Sequence, residues 1–453
     1  MTHLVIIGGS DAGISAGLRA REIDPTSRVT IIVADRFPNY SVCGIPYYFS
    51  REVPDYHNLA HRTADDITAK GIDLLLAHTA QHIDPAAKTV SAVDEAGQQR
   101  TIPYDKLVIG TGADAIKPAI SGIDLEGVFL LRTMPDTLAI DAYMAARQPQ
   151  SVAIIGGGYI GLEMAEALTE RGLQVTLLER SATVLKTLDA ELGALVQAEL
   201  TRRGVAVHPR IDVTQIARDG EALRVRGADG FSRAVDMVLV SVGVTPQTDL
   251  AAAAGIELGL RGAIKVNPQM ATNQPGIYAA GDCIETWHRL LNEYTYLPLG
   301  STAHKQGRVA GENAVGGAAT FAGTLGTQVV KIFDLVAART GLRDDEAQAA
   351  GFDPLSITFA ATDHKIYYPG AHELAFRITG DRASGRLLGA QIVGHKHGAV
   401  AKRIDIYAAA LYHGMTVSGV SDLDLSYTPP LGSPWDAVQM AAQAWEAAAR
   451  VTA

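Results

Sequence analysis

The sequence predicts an α/β fold in which two Rossmann-like dinucleotide-binding units precede a C-terminal α+β domain. Two observations carry this reading. A strand–glycine loop–helix pattern occurs twice, around residues 4–13 and again around residues 152–161. After about residue 325 that pattern stops, and strand-like runs and helices of another character follow.

Taken in order, residues 4–7 (Leu-Val-Ile-Ile) read as a buried strand feeding the loop Gly8-Gly9-Ser10-Asp11-Ala12-Gly13, then an alanine-rich helix over 14–22. A β-branched run at 29–33 supplies the second strand. Residues 107–112, ending Gly110-Thr111-Gly112, read as another buried strand closed by a tight turn. The second copy runs through the strand 152–155, the loop Gly156-Gly157-Gly158-Tyr159-Ile160-Gly161, the helix 162–171 and the strand 175–178. Residues 237–243 resemble 107–112, and these two strand-turns mark the crossings into and out of the second unit. A short strand at 277–280 ends on Gly281-Asp282. Beyond it, residues 302–313 read as a helix, 366–368 and 387–393 as strands, and helices start at Val400 and Pro434.

Composition narrows the function classes. At 453 residues, 47% hydrophobic and 19% charged, the chain has the make-up of a soluble globular protein of several domains. A net charge of −10 argues against nucleic acid or an anionic membrane as main partner. Its apolar runs are too short to span a bilayer, and Met1 leads directly into a strand, so a cytoplasmic location is expected. The two cysteines, Cys43 and Cys283, are too few and too far apart for a disulfide framework or a metal site, and fit a reducing compartment.

The glycine fingerprints have a direct chemical meaning. The first glycine makes the tight turn, the second lets the backbone approach a diphosphate, and the third lets helix and strand pack closely. In the first copy these positions are Gly8, Ser10 and Gly13, and the Ser10 hydroxyl can hydrogen-bond a phosphate. In the second they are Gly156, Gly158 and Gly161. An acid ending the second strand binds ribose hydroxyls. Glu179 stands there in the second copy and favours NADH over NADPH, although the adjacent Arg180 would accommodate a 2′-phosphate. In the first copy Val33 holds that position; Asp35, two residues on, is either the ribose ligand or a solvated turn residue.

Cys43 sits in the run Ser41-Val42-Cys43-Gly44-Ile45-Pro46-Tyr47-Tyr48, just past the first unit. The following five positions hold no second cysteine, which excludes a two-cysteine redox disulfide. A lone cysteine is most often a small buried hydrophobe. The glycine after Cys43 and its place beside a nucleotide unit point instead to a reactive thiol of lowered pKa. Cys283 has no such setting and reads as structural.

Together these residues resemble the flavoprotein pyridine nucleotide–disulfide oxidoreductases over essentially the whole chain. The resemblance rests on both fingerprints, Thr111-Gly112, Gly243-Val244-Thr245-Pro246 and Ala279-Ala280-Gly281-Asp282. It implies an FAD-binding domain from residues 1–113 and 245–325, an NAD(P)H-binding domain over 114–244 and a dimerisation domain over 326–453. In that family the first fingerprint, with Asp35, Ala80, Thr111, Gly112 and Asp282, holds FAD. The second, with Glu179, holds NADH, Tyr159 covers the flavin and Glu163 lies beside the nicotinamide. The single cysteine followed by Gly-Ile-Pro-Tyr-Tyr looks like the coenzyme A–disulfide reductase and NADH oxidase branch. So do Tyr367-Tyr368-Pro369-Gly370 and Ser426-Tyr427-Thr428-Pro429-Pro430. There the protein is a homodimer, and Tyr367 and Tyr427 reach the partner's cysteine. Ser15, Arg19 and His304 are the corresponding contacts for a thiol substrate.

The chain departs from that branch in three places. Val42 replaces an asparagine, Glu22 replaces the second of two arginines, and Trp435 replaces a lysine. Losing two cations and gaining an anion disfavours a ligand as highly charged as coenzyme A. The expected activity is NADH-dependent reduction of a low-molecular-weight disulfide or persulfide through a mixed disulfide on Cys43. The alternatives are an NADH oxidase working through a Cys43 sulfenic acid, and an NADH-responsive flavoprotein sensor or electron-transfer partner. Asp11 fills the slot where NADH peroxidases carry a histidine, which argues against a peroxidase.

Overall fold

The computed structural model describes residues 1–228 and 230–452. Its first parallel sheet has the strand order Ile277–Ala279, Lys106–Ile109, His3–Ile7, Arg28–Ile32, Ile72–Leu75. The second parallel sheet runs Ala206–Pro209, Gln174–Glu179, Ser151–Ile155, Met237–Val240, Val128–Leu130. Strands buried on both faces need continuous apolar runs, and Leu4, Val5, Ile6, Val152, Ala153 and Ile154 are all fully buried. Each sheet is accompanied by a three-stranded antiparallel excursion, built from His78–Pro103 strands in one case and Val213–Val235 strands in the other. Where the chain passes between the two sheets, Ala113–Ala115 pairs antiparallel with Val244–Pro246.

Four helices position the site. We call them α1 (Asp11–Ile23), α2 (Ile45–Phe49), α3 (Tyr159–Glu170) and α4 (Gly300–Ala314). The helices α1 and α4 lie in close contact because glycines of α4 face carbonyls of α1. A Cβ on Gly307 would stand 2.2 Å from the Ala12 oxygen, and one on Gly311 2.1 Å from the Ala16 oxygen. Any side chain at either position would force the helices apart.

The C-terminal region is an antiparallel five-stranded sheet ordered Gln328–Ile332, Leu335–Gly341, Leu387–His395, Glu373–Asp381, Pro354–Thr362. Helices Val400–Tyr412 and Ala437–Thr452 cover it through Ile404, Tyr407, Leu411, Val438 and Ala442. Arg403 and Asp436 form a buried bidentate pair between these helices, at 2.8 and 3.1 Å. The run Ile366-Tyr367-Tyr368, expected as a strand from its β-branched and aromatic composition, is instead an exposed loop. Pro369 and Gly370 (φ +87°) turn the chain there, and local turn chemistry overrides strand propensity. No helix among the described residues is long and apolar enough to cross a membrane.

Candidate active site

The two glycine loops are built alike. Gly8 (φ +115°) donates its N–H to the Ile32 carbonyl at 2.9 Å; Gly156 (φ +112°) donates to Leu178 at 2.8 Å. A Cβ on Gly8 would stand 2.0 Å from the Gly110 oxygen, and one on Gly156 2.4 Å from the Ser241 oxygen. Both backbones therefore require glycine for conformation and for space. Gly13 and Gly161 press equally hard on the preceding turn, each with a virtual Cβ 1.9 Å from the oxygen of Gly8 or Gly156.

The ends of the second strands differ. Gly157 donates to the Glu179 carboxylate at 2.7 Å, and its other oxygen accepts from Ser181 at 2.6 Å. In the first unit Gly9 packs on Val33 in the same place. The Asp35 carboxylate turns back to accept from the Phe37 N–H at 2.8 Å, and burial pushes its pKa up.

At the carboxyl ends of the first sheet lie two cavities. The smaller, about 440 Å³, is lined by Gly8, Ile32, Ala34, Ala80 and Thr111, with Asp35 not among its walls. The larger, about 650 Å³, brings together Ser10, Asp11, Cys43, Gly112, Tyr159, Glu163 and Asp282. Such crevices at the strand ends of open α/β sheets are where dinucleotides bind. The glycine cradle leaves backbone rather than side chains along the crevice, and this suits an extended cofactor carrying a diphosphate.

Cys43 is solvent-reachable, and the 3₁₀ turn Val42–Gly44 before α2 aims it into the larger cavity. The lowered thiol pKa expected beside an oxidised flavin is not a property of the chain alone, which pushes it up. Burial is the main cause, and the Glu163, Asp11 and Asp282 carboxylates add to it, with only Arg132 opposing. Cys283, in contrast, is fully buried, its thiol directed at the Ala280 and Ile109 carbonyls at 3.4 and 3.6 Å.

Glu163 projects from α3 with its pKa raised to about 7 by burial and by Glu166, against the pull of Lys331. Glu166 itself is satisfied by the Lys331 ammonium and by the Phe333 N–H at 2.8 Å. Tyr159, at the start of α3, donates to Gln328 Oε1 at 2.6 Å and accepts from Thr187 at 3.3 Å. Asp282 is paired with Arg132 at 2.7 Å, and Thr111 donates to the Gln247 carbonyl at 2.6 Å.

Among the residues expected to meet a thiol substrate, Ser15 hydrogen-bonds His304 Nδ1 at 2.8 Å. Arg19 is engaged by two carboxylates, Glu22 at 2.8 Å and Glu312 at 2.5 Å. Tyr367 and Tyr427 lie close together on the exposed surface of the C-terminal domain, and neither lines the Cys43 cavity of its own chain. Sequence reasoning missed Arg132, the cation among the residues lining this cavity, and Gln328 and Thr187, which hold Tyr159. Arg132 stands just before an ordinary capping box at Thr133, which carries no sign of a distant carboxylate.

One cavity lined by residues of both glycine-loop units and by an accessible thiol fits a nicotinamide-dependent flavoprotein redox enzyme. The family model for pyridine nucleotide-disulphide oxidoreductases matches residues 2–307, and that for their dimerisation domain matches residues 327–438. The chain belongs to this family, whose members use FAD and NAD(P)H, and within it to the single-cysteine coenzyme A–disulfide reductase and NADH oxidase branch. It is 35% identical to an NAD(P)H sulfur oxidoreductase (CoA-dependent) of Pyrococcus furiosus, with 96% of each chain covered. It is 33% identical to an NADH oxidase of Methanocaldococcus jannaschii, with 97% of each covered. It superposes on the structure of an NAD-dependent persulfide reductase from A. fulgidus with a TM-score of 0.95 at 36% identity, covering 99% of this chain and 84% of that one.

Proposed function

We propose that the protein uses NADH to reduce a low-molecular-weight disulfide or persulfide through Cys43. The observation that carries this reading is the single accessible thiol in a cavity lined from both glycine-loop helices. The balance is RSSR′ + NADH + H⁺ → RSH + R′SH + NAD⁺.

Gly8, Ser10, Gly13, Ala80, Thr111, Gly112 and Asp282 would hold FAD, which would supply the two-electron path between nicotinamide and sulfur, whereas Asp35 is turned to the Phe37 amide and is not counted among its ligands. Gly156, Gly158, Gly161 and Glu179 hold NADH. The chain divides accordingly into an FAD domain (1–113 and 245–325), an NAD(P)H domain (114–244) and a dimerisation domain (326–453). Tyr159, held by Gln328 and Thr187, covers the crevice and would have to swing aside to admit nicotinamide, which Glu163 would border. The Cys43 thiolate attacks one sulfur of the substrate, forming a Cys43–S–S–R bond while the S–S bond of the substrate breaks and R′S⁻ leaves. Reduction of the mixed disulfide then restores the thiolate and releases RSH. The cavity acids disfavour that thiolate, so a bound oxidised flavin would have to supply its stabilisation. In a homodimer, Tyr367 and Tyr427 of each subunit serve the cysteine of the other, as their exposure in the single chain supports. Ser15, Arg19 and His304 border the thiol channel. With Arg19 neutralised by Glu22 and Glu312, a small thiol is better served than coenzyme A.

Anaerobic stopped-flow tests the reading. Enzyme reduced by NADH is expected to be reoxidised by a disulfide or persulfide, and Cys43→Ser is expected to lose that step while retaining FAD. Reoxidation by oxygen alone at the full turnover rate, with disulfides inert, would favour the oxidase reading that the Methanocaldococcus relative supports.

A further inference from the structure

The reaction above consumes one proton from solvent each turnover, and the departing R′S⁻ must receive it inside a half-enclosed cavity. One chain of side chains leads there from outside. Asp11, in the first turn of α1, lines the Cys43 cavity and lies near enough to raise the thiol's pKa. Its Oδ1 lies 3.2 Å from His304 Nε2, and His304 Nδ1 lies 2.8 Å from the Ser15 hydroxyl. The His304 side chain is 45% exposed and that of Asp11 21%, so the path runs from solvent into the cavity.

The helices that carry it hold it rigidly. Asp11 and Ser15 are one turn apart on α1, and His304 faces both from α4 across the glycine-mediated contact. Other charges nearby are already paired. On α4, Arg308 bonds Glu22 at 3.5 Å; on α1, Arg19 bonds Glu22 and Glu312. The same cavity is lined by Glu163 and by the Arg132–Asp282 pair. The first-sheet strands packed on α4 present Tyr278, which donates to Asn313 at the far end of that helix. Asp11 is thus the carboxylate of this cavity that carries a solvent-exposed imidazole behind it.

We propose that Asp11 and His304 form a proton relay, with Ser15 fixing the imidazole, that delivers the solvent proton to the thiolate expelled by Cys43. The His304 imidazolium gives its Nε2 proton to Asp11, and the Asp11 carboxyl gives a proton to R′S⁻, forming the S–H bond of R′SH. His304 is reprotonated from solvent, and no oxidant or reductant enters. An imidazolium is a stronger acid than an alkyl thiol, so the net transfer runs downhill. The relay rests on the disulfide-reductase reading above. Asp11 is the donor and His304 a positioning and relay residue acting through it.

The test compares wild type, Asp11→Asn and His304→Ala as holoenzymes in anaerobic stopped-flow between pH 6 and 9, with a small disulfide as oxidant. Reduction by NADH, read in the same traces, reports whether each variant still holds its cofactors. The relay predicts that disulfide reoxidation in Asp11→Asn falls at least ~10-fold, within the range general-acid removal produces, and loses its pH-dependent limb. It also predicts that added imidazole restores much of the rate in His304→Ala. Unaltered pH profiles in Asp11→Asn, or no imidazole rescue, would overturn the relay and leave a mere clasp between helices. Wild-type enzyme that no disulfide or persulfide reoxidises would instead bring down the reductase reading, and the relay with it.

Discussion

The two glycine-loop units of this chain share a backbone and differ in what they present. Gly8 and Gly156, and Gly13 and Gly161, occupy matching turns with matching hydrogen bonds and nearly the same close approaches. The helices that follow carry different residues at equivalent positions: Asp11 and Ser15 on α1, Tyr159 and Glu163 on α3, of which Asp11, Tyr159 and Glu163 line the cavity and Ser15 bonds His304 behind it. On one side these positions carry a solvent-linked acid and a hydroxyl. On the other they carry an aromatic latched by Gln328 and Thr187, and a glutamate half-neutralised near pH 7. The strand ends diverge as well, with Val33 where Glu179 would stand. A repeated scaffold thus sets the places, and single residues set the chemistry.

The comparison breaks most sharply at the third glycines. Gly13→Ala is expected to purify without bound flavin. Gly161→Ala is expected to keep flavin but raise the KM for NADH by ~100-fold or more, because a Cβ 1.9 Å from a carbonyl must move the loop. Flavin absorbance and NADH kinetics read the two outcomes, and loss of flavin in both variants would show that the units are not independent.

Next in size is Glu179→Ala. Removing the carboxylate that the Gly157 and Ser181 amides hold should cost roughly 10-fold in kcat/KM for NADH and less for NADPH, so the ratio of the two substrates narrows. An unchanged ratio would place ribose recognition elsewhere.

Glu163→Gln probes the acid that replaces Ser15 in the second unit. Its pKa is raised from 4.5 to about 7, so ionisation opposes folding. The native state is favoured most below about pH 4.5, and that advantage is lost as pH rises to 7. The glutamine variant should therefore melt higher than wild type at pH 8, by the equivalent of at most ~3 kcal/mol, with the gap closing toward pH 4.5. Calorimetry across that range checks it; a gap that widens toward acid would contradict the assignment.

The smallest effect is expected at Asp35→Asn. The carboxylate is committed to the Phe37 amide, a role that asparagine can fill, so the FAD dissociation constant should move by less than ~5-fold. Titration of the apoprotein decides. A loss comparable to that of Glu179→Ala would make Asp35 the ribose ligand after all.

Much of this was legible in the sequence, for a reason particular to the elements concerned. A glycine fingerprint is local: turn, close approach and helix start fall within six residues, so spacing alone announces them. Cys43 was legible by subtraction, since one other cysteine exists and it has no comparable neighbours. The loop at 366–368 was misread because strand propensity says nothing about the absence of a partner strand. The acids that raise the Cys43 pKa in the chain itself were not legible, because they come from three separate segments.

The sequence by itself determined the two repeated units, the position of the accessible cysteine and the family, because each rests on residues close together along the chain. The tertiary structure alone decided that Arg132 meets Asp282 150 residues away, that Glu312 occupies Arg19 across 293 residues, and that His304 stands behind Asp11. Charges and hydrogen bonds act over a few ångströms of space whatever their separation in sequence, so which groups face the sulfur is settled only when α1 and α4 close against each other.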